Sequence, residues 1–275
     1  MPGEGIRRRT IAFCRPARTT SVTTTGTSCD LCCAHCNGHY LKAMRPADAM
    51  LEQLQSSGGP SSILVSGGCS SGGKVPMGDW PVRLKAAAAP GTKFNCHAGL
   101  VDDAEAAAVA EWADVVSFDI VGDPEVIREV YGLDRTVDDY VASYIALARR
   151  VPTVPHICIG LGREVGPPER AAMSLVHDAV DAEGITLPAL VFIAFIPTRG
   201  TLFESRLAPE PAAVEEMLRE ARTLFPDTPI HLGCMRPGGA WRRDADVRAV
   251  RAGVDLVVQP APEAISEARA LGLTV

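Results

Sequence analysis

The sequence predicts an α/β fold of the (β/α)8 TIM-barrel type, either full or partial. Short apolar segments bounded by turn residues, such as 62–66, recur along the chain and are typical of buried parallel strands. Segments with helical periodicity, such as 137–149, separate them. Strands that alternate with helices at a spacing of roughly 30 residues indicate right-handed βαβ units. We therefore expect a single domain over 1–275, with an N-terminal arm at 1–20 and the barrel at 21–275.

Eight segments are the candidate strands of this barrel. The first is a β-branched run, and the others are mainly aliphatic runs that end at glycine, proline or polar turn residues. The strands are predicted at 21–25, 62–66, 93–97, 114–119, 154–159, 187–196, 230–233 and 256–259. The helices are predicted at 38–44, 46–55, 102–112, 137–149, 167–182, 211–224, 245–252 and 261–270. An open six-stranded barrel with appended C-terminal units is the nearest alternative.

Composition and charge argue against several classes of protein. A net charge of −6 and a pI of about 5.6 argue against a nucleic-acid backbone as the main partner. No apolar run reaches the roughly 18 residues of a membrane span, and the N-terminus lacks the apolar segment of a signal peptide. Nine cysteines in such a chain indicate metal or redox chemistry instead of a disulfide framework. We expect a cytoplasmic protein.

A cysteine array follows the first predicted strand. Cys29, Cys33 and Cys36 form a C-x3-C-x2-C pattern on one tight loop, and Cys32 is expected to point elsewhere. Soft thiolates at this spacing select iron–sulfur clusters, zinc or Cu(I). A structural zinc site is closed by four ligands. Three cysteines on a [4Fe–4S] cluster leave one iron free for another ligand, and this open iron indicates chemistry.

Other chemically active residue types are concentrated at the predicted C-terminal ends of the strands. In βα barrels this end carries the active site. The residues are Gly67, Gly68, Cys69, Asn95, Cys96, His97, Ser117, Asp119, Cys158, Gly160, Cys234 and Arg236. Their distribution favours an enzyme.

The cysteine loop after the first barrel strand resembles that of the radical S-adenosylmethionine (SAM) superfamily. The resemblance implies a [4Fe–4S] cluster on Cys29, Cys33 and Cys36 that binds SAM and cleaves it reductively to a 5′-deoxyadenosyl radical. Ser66, Gly67 and Gly68 resemble the Gly-Gly-Glu-like motif that binds the methionine amino group through backbone carbonyls. Cys69 takes the place of the acid, so this contact is expected from the backbone alone. His35 holds a usually aromatic position near the adenine.

Further motifs of this superfamily match later strands. Ser117 and Asp119 look like the polar residues that bind the ribose hydroxyls, and Arg135 resembles an arginine that pairs with the SAM carboxylate in the biotin synthase branch. The stretch 157–162 is similar to an adenine-binding motif, which implies roles for Ile159 and Gly160. It departs from the motif at 156, 158 and 164. The stretch 197–202 resembles a P-x-x-G-T-P-L motif of biotin and lipoyl synthases, without its second proline.

The remaining cysteines suggest a second cluster. Cys69 and Cys96 match, by strand, two ligands of the auxiliary iron–sulfur cluster of biotin synthase, and Cys234 lies at the end of another strand. Cys158 and His231 depart from the biotin synthase pattern. The stretches around 66–77 and 233–237 also resemble archaeal-type two-protein lipoyl synthases. This resemblance implies sulfur insertion and a second radical SAM subunit as partner.

Several alternatives stay open at this point. The reaction is either sulfur insertion or another C–H functionalisation, and a non-catalytic zinc or iron–sulfur barrel is the competing class. The substrate is expected to be a small molecule or a carrier-bound acyl group, and the electron donor a ferredoxin or flavodoxin. Candidate substrate residues are Asn95, His97, His231 and Arg236, of which Arg236 alternatively caps the loop after the seventh strand.

Overall fold

The computed structural model describes residues 10–275, and one sheet of ten parallel strands organises them. The strands are β1 Ala12–Cys14, β2 Thr19–Thr23, β3 Arg45–Pro46, β4 Ser62–Ser66, β5 Lys93–Cys96, β6 Val115–Asp119, β7 Thr153–Ile159, β8 Leu190–Ala194, β9 Ile230–Leu232 and β10 Leu256–Val258. Their order is β1-β10-β9-β8-β7-β6-β5-β4-β2-β3. Within 10–275 no ladder joins β1 to β2 or β3, so the barrel is partial. The predicted fold class is confirmed.

Nine α-helices and one 3-10 helix, His39–Ala43, connect the strands of the described chain. The α-helices are α1 Ala47–Ser57, α2 Trp80–Ala87, α3 Asp103–Ala110, α4 Pro124–Glu129, α5 Val137–Ala148, α6 Pro167–Glu183, α7 Pro211–Leu224, α8 Gly239–Ala252 and α9 Pro262–Ala270. Helices α2 and α4 were not predicted from the sequence. The signal for α4 was present, because Asp123 caps its N-terminus and Pro124 occupies its first turn.

The two faces of each strand have different surroundings. On β6, Val116 and Phe118 are buried in the apolar core, to which the helices also contribute buried side chains. Ser117 lies on the opposite, concave face, where its hydroxyl contacts the Asn95 amide at 3.1 Å. We call this concave face the lumen. Because side chains alternate along a strand, the polar residues at every second position of β5, β6 and β7 also face the lumen.

The boundary between arm and barrel differs from the expected one. Part of the predicted arm, 1–9, lies outside the described residues. Within 10–20, β1 pairs with β10, and the first residues of β2 pair with β4. The chain from 12 onward therefore contributes strands to the sheet. No helix of the described chain has both the length and the apolar character of a membrane span.

Candidate functional site

The cysteine loop leaves the C-terminal end of β2 and folds into consecutive tight turns. The amide of Cys36 donates to the carbonyl of Cys33 at 3.1 Å, and the amide of His39 donates to the carbonyl of Cys36 at 2.7 Å. Cys32 and Asn37 adopt left-handed φ values of 47° and 42°. These turns bring Cys33 and Cys36 close together, whereas the side chain of Cys32 is exposed.

Segments distant in sequence hold this loop from two sides. The amide of Ala34 donates to the carbonyl of Val130 at the end of α4, at 2.7 Å, and the amide of Phe203 donates to the carbonyl of Ala34 at 3.0 Å. Close to these contacts, the Tyr40 hydroxyl contacts that of Thr198 at 3.0 Å. The 197–203 segment, which contains the stretch identified by its similarity to a known motif, thus contacts the cysteine loop and the 3-10 helix that follows it.

The loop that follows β4 supports the cysteine loop from a third side. The amide of Gly68 donates to Thr25 Oγ1 at 2.7 Å, and the amide of Asp30 donates to the carbonyl of Cys69 at 2.8 Å. A Cβ atom on Gly68 would stand 2.6 Å from the Cβ of Cys29, closer than real side chains approach. Only glycine allows this contact between the two loops.

The thiols of the array interact with one another. A hydrogen bond with Cys33 lowers the pKa of the Cys36 thiol to about 7, although burial opposes this change. The same hydrogen bond, then burial, then the neighbouring charges of Cys36, Cys29 and Cys69 raise the pKa of Cys33. The other two predicted ligands, Cys29 and Cys36, therefore lie within electrostatic range of Cys33.

The donor set of the array fits an iron–sulfur cluster. Within 10–275, no three His, Cys, Asp or Glu side chains are arranged to hold one metal ion. In a cubane each cysteine binds a different iron, so its ligands need not meet at a single point. The array has three soft thiols on one loop, and the close contact with Gly68 holds this loop in position. This arrangement matches the requirement.

A cavity of about 190 Å³ opens beside the cysteine loop at the C-terminal ends of β4, β5 and β6. It brings together several residues that the resemblance assigned to SAM. Ser66, Gly67, Ser117 and Asp119 line it, together with Cys69 and His97. Gly68 is in the loop behind it, against Cys29. The residue roles inferred from the sequence remain predictions, and their shared location is what the structure adds.

Three further residues that the resemblance assigned to SAM lie in different environments. Arg135 is half exposed beside the glycine-rich loop, where its Nε donates to the Gly72 carbonyl at 3.4 Å. Ile159 is fully buried in the apolar core, so its side chain does not reach the lumen. Gly160 follows with a φ of 90°, and a Cβ there would stand 3.0 Å from Pro209.

His35 is enclosed next to Tyr131. The two rings meet edge to face with centroids 5.5 Å apart, and His35 Nδ1 is buried with no hydrogen-bond partner. Burial lowers the pKa of His35 to about 4, and the charge of Asp119 only partly opposes this. His35 is therefore neutral at pH 7, with a buried polar atom available to a ligand.

Three histidines follow one another across the lumen. His97 Nδ1 lies 3.9 Å from Asp119 Oδ2, and the His97 and His156 rings are 5.6 Å apart. His156 Nδ1 is 3.0 Å from the Val154 carbonyl, and burial lowers the pKa of His156 to about 4. Burial also lowers the pKa of His231, which lies in the same layer of the sheet.

Two residues of this region were missed at the sequence level. Glu169 is buried, and its carboxylate accepts the amides of Gly160 at 2.8 Å and Gly166 at 2.6 Å. It therefore shapes the loop after β7, and the pattern Gly166-x-x-Glu169 before a helix was a signal for it. Tyr131 lines the cavity beside Asp119, and nothing in its local sequence indicated this position.

The expected convergence of Cys69, Cys96 and Cys234 is not found in the structure. Cys96 is fully buried in the apolar core, because even and odd positions of β5 face opposite sides of the sheet. Burial raises the pKa of Cys96 beyond the normal range of thiols. Cys234 is exposed, whereas Cys69 lies near Cys29.

The predicted substrate contact of Arg236 is also corrected. Its side chain is fully buried and forms a bidentate ion pair with Asp246, at 2.7 and 2.9 Å. It also donates to the carbonyls of Gly233 and Val258. Arg236 therefore fixes the loop after β9 and is not available to a substrate.

Comparisons with known proteins place the fold. No family model and no curated protein sequence matches the chain. Methylornithine synthase (PylB) superposes with a TM-score of 0.61 at 14% identity, covering 97% of this chain and 83% of that one. The FeFe-hydrogenase maturase HydG from Carboxydothermus hydrogenoformans gives 0.62 at 14% identity, covering 91% of this chain and 59% of HydG. The chain has the fold of radical SAM enzymes.

A similar fold occurs in proteins with other chemistry. An HMG-CoA lyase from Acenitobacter baumannii superposes with a TM-score of 0.55 at 12% identity, covering 96% of this chain and 85% of the lyase. A shared barrel therefore does not by itself determine a reaction. The reaction has to be argued from the residues at the mouth of the barrel.

Proposed function

We propose that the chain is a radical SAM enzyme that removes hydrogen from an unactivated C–H bond of a small molecule or a carrier-bound acyl group. The observation that carries this proposal is the position of the cysteine loop. It lies at the C-terminal mouth of a parallel partial barrel, in contact with Gly68 and next to the cavity that Ser117 and Asp119 line. PylB and HydG, which share the fold, are radical SAM enzymes.

Cys29, Cys33 and Cys36 are the proposed ligands of a [4Fe–4S] cluster. When bound, the cluster would supply the electron that cleaves the C5′–S bond of SAM to give methionine and a 5′-deoxyadenosyl radical. The low pKa of Cys36, about 7, supports ligand binding, because iron binds the thiolate. Reduction of the cluster requires an electron donor, and we propose a ferredoxin or flavodoxin for this role.

The cavity residues are proposed to hold SAM. Ser117 and Asp119 offer a hydroxyl and a carboxylate at neighbouring lumen positions, a suitable pair for two ribose hydroxyls. Gly67 and Gly68 present backbone close to Cys29, where a methionine amino group would have to lie. Arg135, half exposed at the rim, is proposed to pair with the SAM carboxylate.

The lumen below this cavity is the proposed substrate site. Asn95 bonds Ser117, and His97, His156 and His231 face the same space. With its pKa held at about 4, the His156 ring offers a neutral donor and acceptor at pH 7. Barrel walls that exclude bulk water would protect a substrate radical from quenching.

C–H functionalisation without sulfur insertion is the favoured outcome. The orientation of Cys96 toward the apolar core supports this choice over an auxiliary cluster on Cys69, Cys96 and Cys234. Sulfur insertion with a second radical SAM subunit, as in two-protein lipoyl synthases, stays a prediction from the resemblance.

Iron analysis and electron paramagnetic resonance (EPR) on anaerobically reconstituted protein test the proposal. We expect about four irons per chain, a reduced-cluster signal that changes when SAM is added, and loss of both in a Cys29→Ala/Cys33→Ala/Cys36→Ala variant. A Cys14→Ala variant, altered at an exposed cysteine of β1, is the control and should keep the iron. A colourless protein that carries stoichiometric zinc after anaerobic preparation would favour the non-catalytic barrel instead.

A further inference from the structure

A fourth thiol lies beside the three of the cysteine array. Cys69 follows Gly68, whose backbone touches Cys29, and the Cys69 carbonyl accepts the amide of Asp30 at 2.8 Å. The amide of Gly68 is fixed by Thr25 Oγ1 at 2.7 Å. Two loops are thus joined on both sides of Cys69, so its backbone has a defined position next to the first cysteine of the array.

The side chain of Cys69 lies on the cavity side of this junction. It is partly buried and lines the cavity of about 190 Å³ with Gly67, His97 and Asp119. Cys29 and Cys36 are within electrostatic range of its sulfur, and Cys33 in turn interacts with Cys69. Cys69 therefore lies near the thiols of the array, but on a different loop and with its side chain at the cavity.

We propose that Cys69 is an exchangeable fourth ligand of the cluster, bound in the absence of SAM and displaced when SAM binds. This inference rests on the proposed function, since it requires a cluster on Cys29, Cys33 and Cys36. Three soft thiolates from one loop and one from a facing loop form a complete ligand set for a [4Fe–4S] cluster. The close contact between Gly68 and Cys29 and the hydrogen bond from the Gly68 amide to Thr25 hold the two loops against each other, next to Cys69.

The exchange is a ligand substitution without electron transfer. The bond between iron and the Cys69 sulfur breaks, and bonds from iron to the amino nitrogen and a carboxylate oxygen of SAM form. The SAM ammonium group loses one proton and the released thiolate takes up one, so charge and protons balance. SAM binding and Cys69 ligation are therefore mutually exclusive, which keeps the reactive iron covered until the cosubstrate arrives.

The consequence is a difference in oxidative stability. A cluster held by three cysteines has one iron without a protein ligand, and mild oxidation removes that iron to leave a three-iron cluster. With Cys69 bound, all four irons have protein ligands and the cluster survives. Cys158 is a matched control, because it is also a thiol near Asp119 but interacts with none of the array cysteines.

The test compares wild type, Cys69→Ala, Cys69→Ser and Cys158→Ala as reconstituted proteins without SAM. After iron analysis, each is oxidised with ferricyanide and the three-iron EPR signal is integrated per cluster. We expect a several-fold larger signal from both Cys69 variants than from wild type and Cys158→Ala. Equal signals from all four proteins would overturn the inference while leaving the cluster itself intact.

Mössbauer spectroscopy on iron-57 wild-type protein gives an answer that needs no variant. We expect uniform sulfur coordination of all irons before SAM is added, and one iron with nitrogen and oxygen ligands afterwards. One distinct iron already present before SAM would contradict a role for Cys69. Failure of the proposed function gives a different result: the Mössbauer spectrum would then be the same before and after SAM is added.

Discussion

The backbone of Gly68 lies so close to Cys29 that the site depends on the missing side chain. A Cβ on Gly68 would stand 2.6 Å from the Cβ of Cys29 and 1.9 Å from the carbonyl oxygen of Ser28. Both neighbours are held in place, because the amide of Asp30 bonds the Cys69 carbonyl and the amide of Ser28 bonds the Thr25 carbonyl. The cysteine loop and the loop after β4 therefore form one unit.

Gly68→Ala should displace the cysteine loop. The added methyl overlaps backbone that has no room to move, so we expect a cost of about 1–3 kcal/mol in stability and loss of most of the iron after reconstitution. Iron content and thermal unfolding measure the two effects. Gly238→Ala is the control, since a Cβ there meets no atom within 4 Å. Full iron content in Gly68→Ala would show that the contact does not position the cysteines.

Glu169→Gln should weaken SAM binding without removing the cluster. Glu169 accepts two backbone amides with its two oxygens, and glutamine replaces one acceptor by a donor that faces an amide. The loop at Gly160 then loses its fixed position. An unsatisfied buried group costs about 1–3 kcal/mol, which corresponds to a loss of roughly 5- to 150-fold in affinity.

Equilibrium dialysis of SAM against reconstituted protein measures this effect. The control is Glu164→Gln, an exposed carboxylate in the same loop, which should keep the wild-type affinity. Equal affinities of both variants would mean that the loop after β7 does not contact SAM.

His156 should make the protein less stable as the pH falls. Burial holds the pKa of folded His156 at about 4, below the 6.5 of an unperturbed histidine, so the unfolded chain binds the proton first. The contribution is fully present above pH 6.5 and is lost as the pH falls toward 4. At about 1.4 kcal/mol for each pKa unit, it amounts to about 3 kcal/mol.

Replacing His156 by glutamine tests this pH dependence. Glutamine keeps a donor for the Val154 carbonyl but does not titrate. The groups around the ring, His97, Asp119 and His231, are unchanged in the variant. The free energy of unfolding of His156→Gln, measured with urea between pH 7 and pH 4, should fall less steeply than that of wild type. Identical slopes would assign the acid destabilisation to other groups.

Arg236→Met should destabilise the fold and leave the cluster unaffected. The change leaves Asp246 as an unpaired charge with no exposure, which costs about 3–5 kcal/mol. Arg236→Met combined with Asp246→Leu should recover much of that loss. Arg248→Ala removes two more exposed ion pairs, with Glu215 and Asp244, and should cost less than the loss of the buried pair. Urea unfolding ranks these variants, and iron loss specific to Arg236→Met would restore a role at the site.

Much of the fold could be predicted from the sequence, because its strands are short apolar runs bounded by turn residues. All eight predicted strands occur, although 187–196 shortens to Leu190–Ala194. The two-residue β3 and the short α4 were missed because segments of that length carry little periodic signal. Helix α8 begins at Gly239 instead of 245, since its first turns are mostly polar and arginine-rich.

Site residues could be predicted from the sequence only where a chemically active side chain lies at the end of a strand. Ser66, Ser117 and Asp119 were placed at strand ends by sequence and share a cavity in the structure. The sequence could not show that Cys96 faces the helices, because a one-residue change of register exchanges the two faces of a strand. The buried partner of Arg236 was hidden as well, because Asp246 lies ten residues away in a polar helix.

Formation of 5′-deoxyadenosine from SAM tests the central claim most directly. Reconstituted protein is incubated anaerobically with SAM and dithionite, and the products are quantified by liquid chromatography and mass spectrometry. We predict 5′-deoxyadenosine and methionine in equal amounts, and neither product from the variant that lacks Cys29, Cys33 and Cys36. Intact SAM after incubation with a fully loaded and reduced cluster would contradict the account.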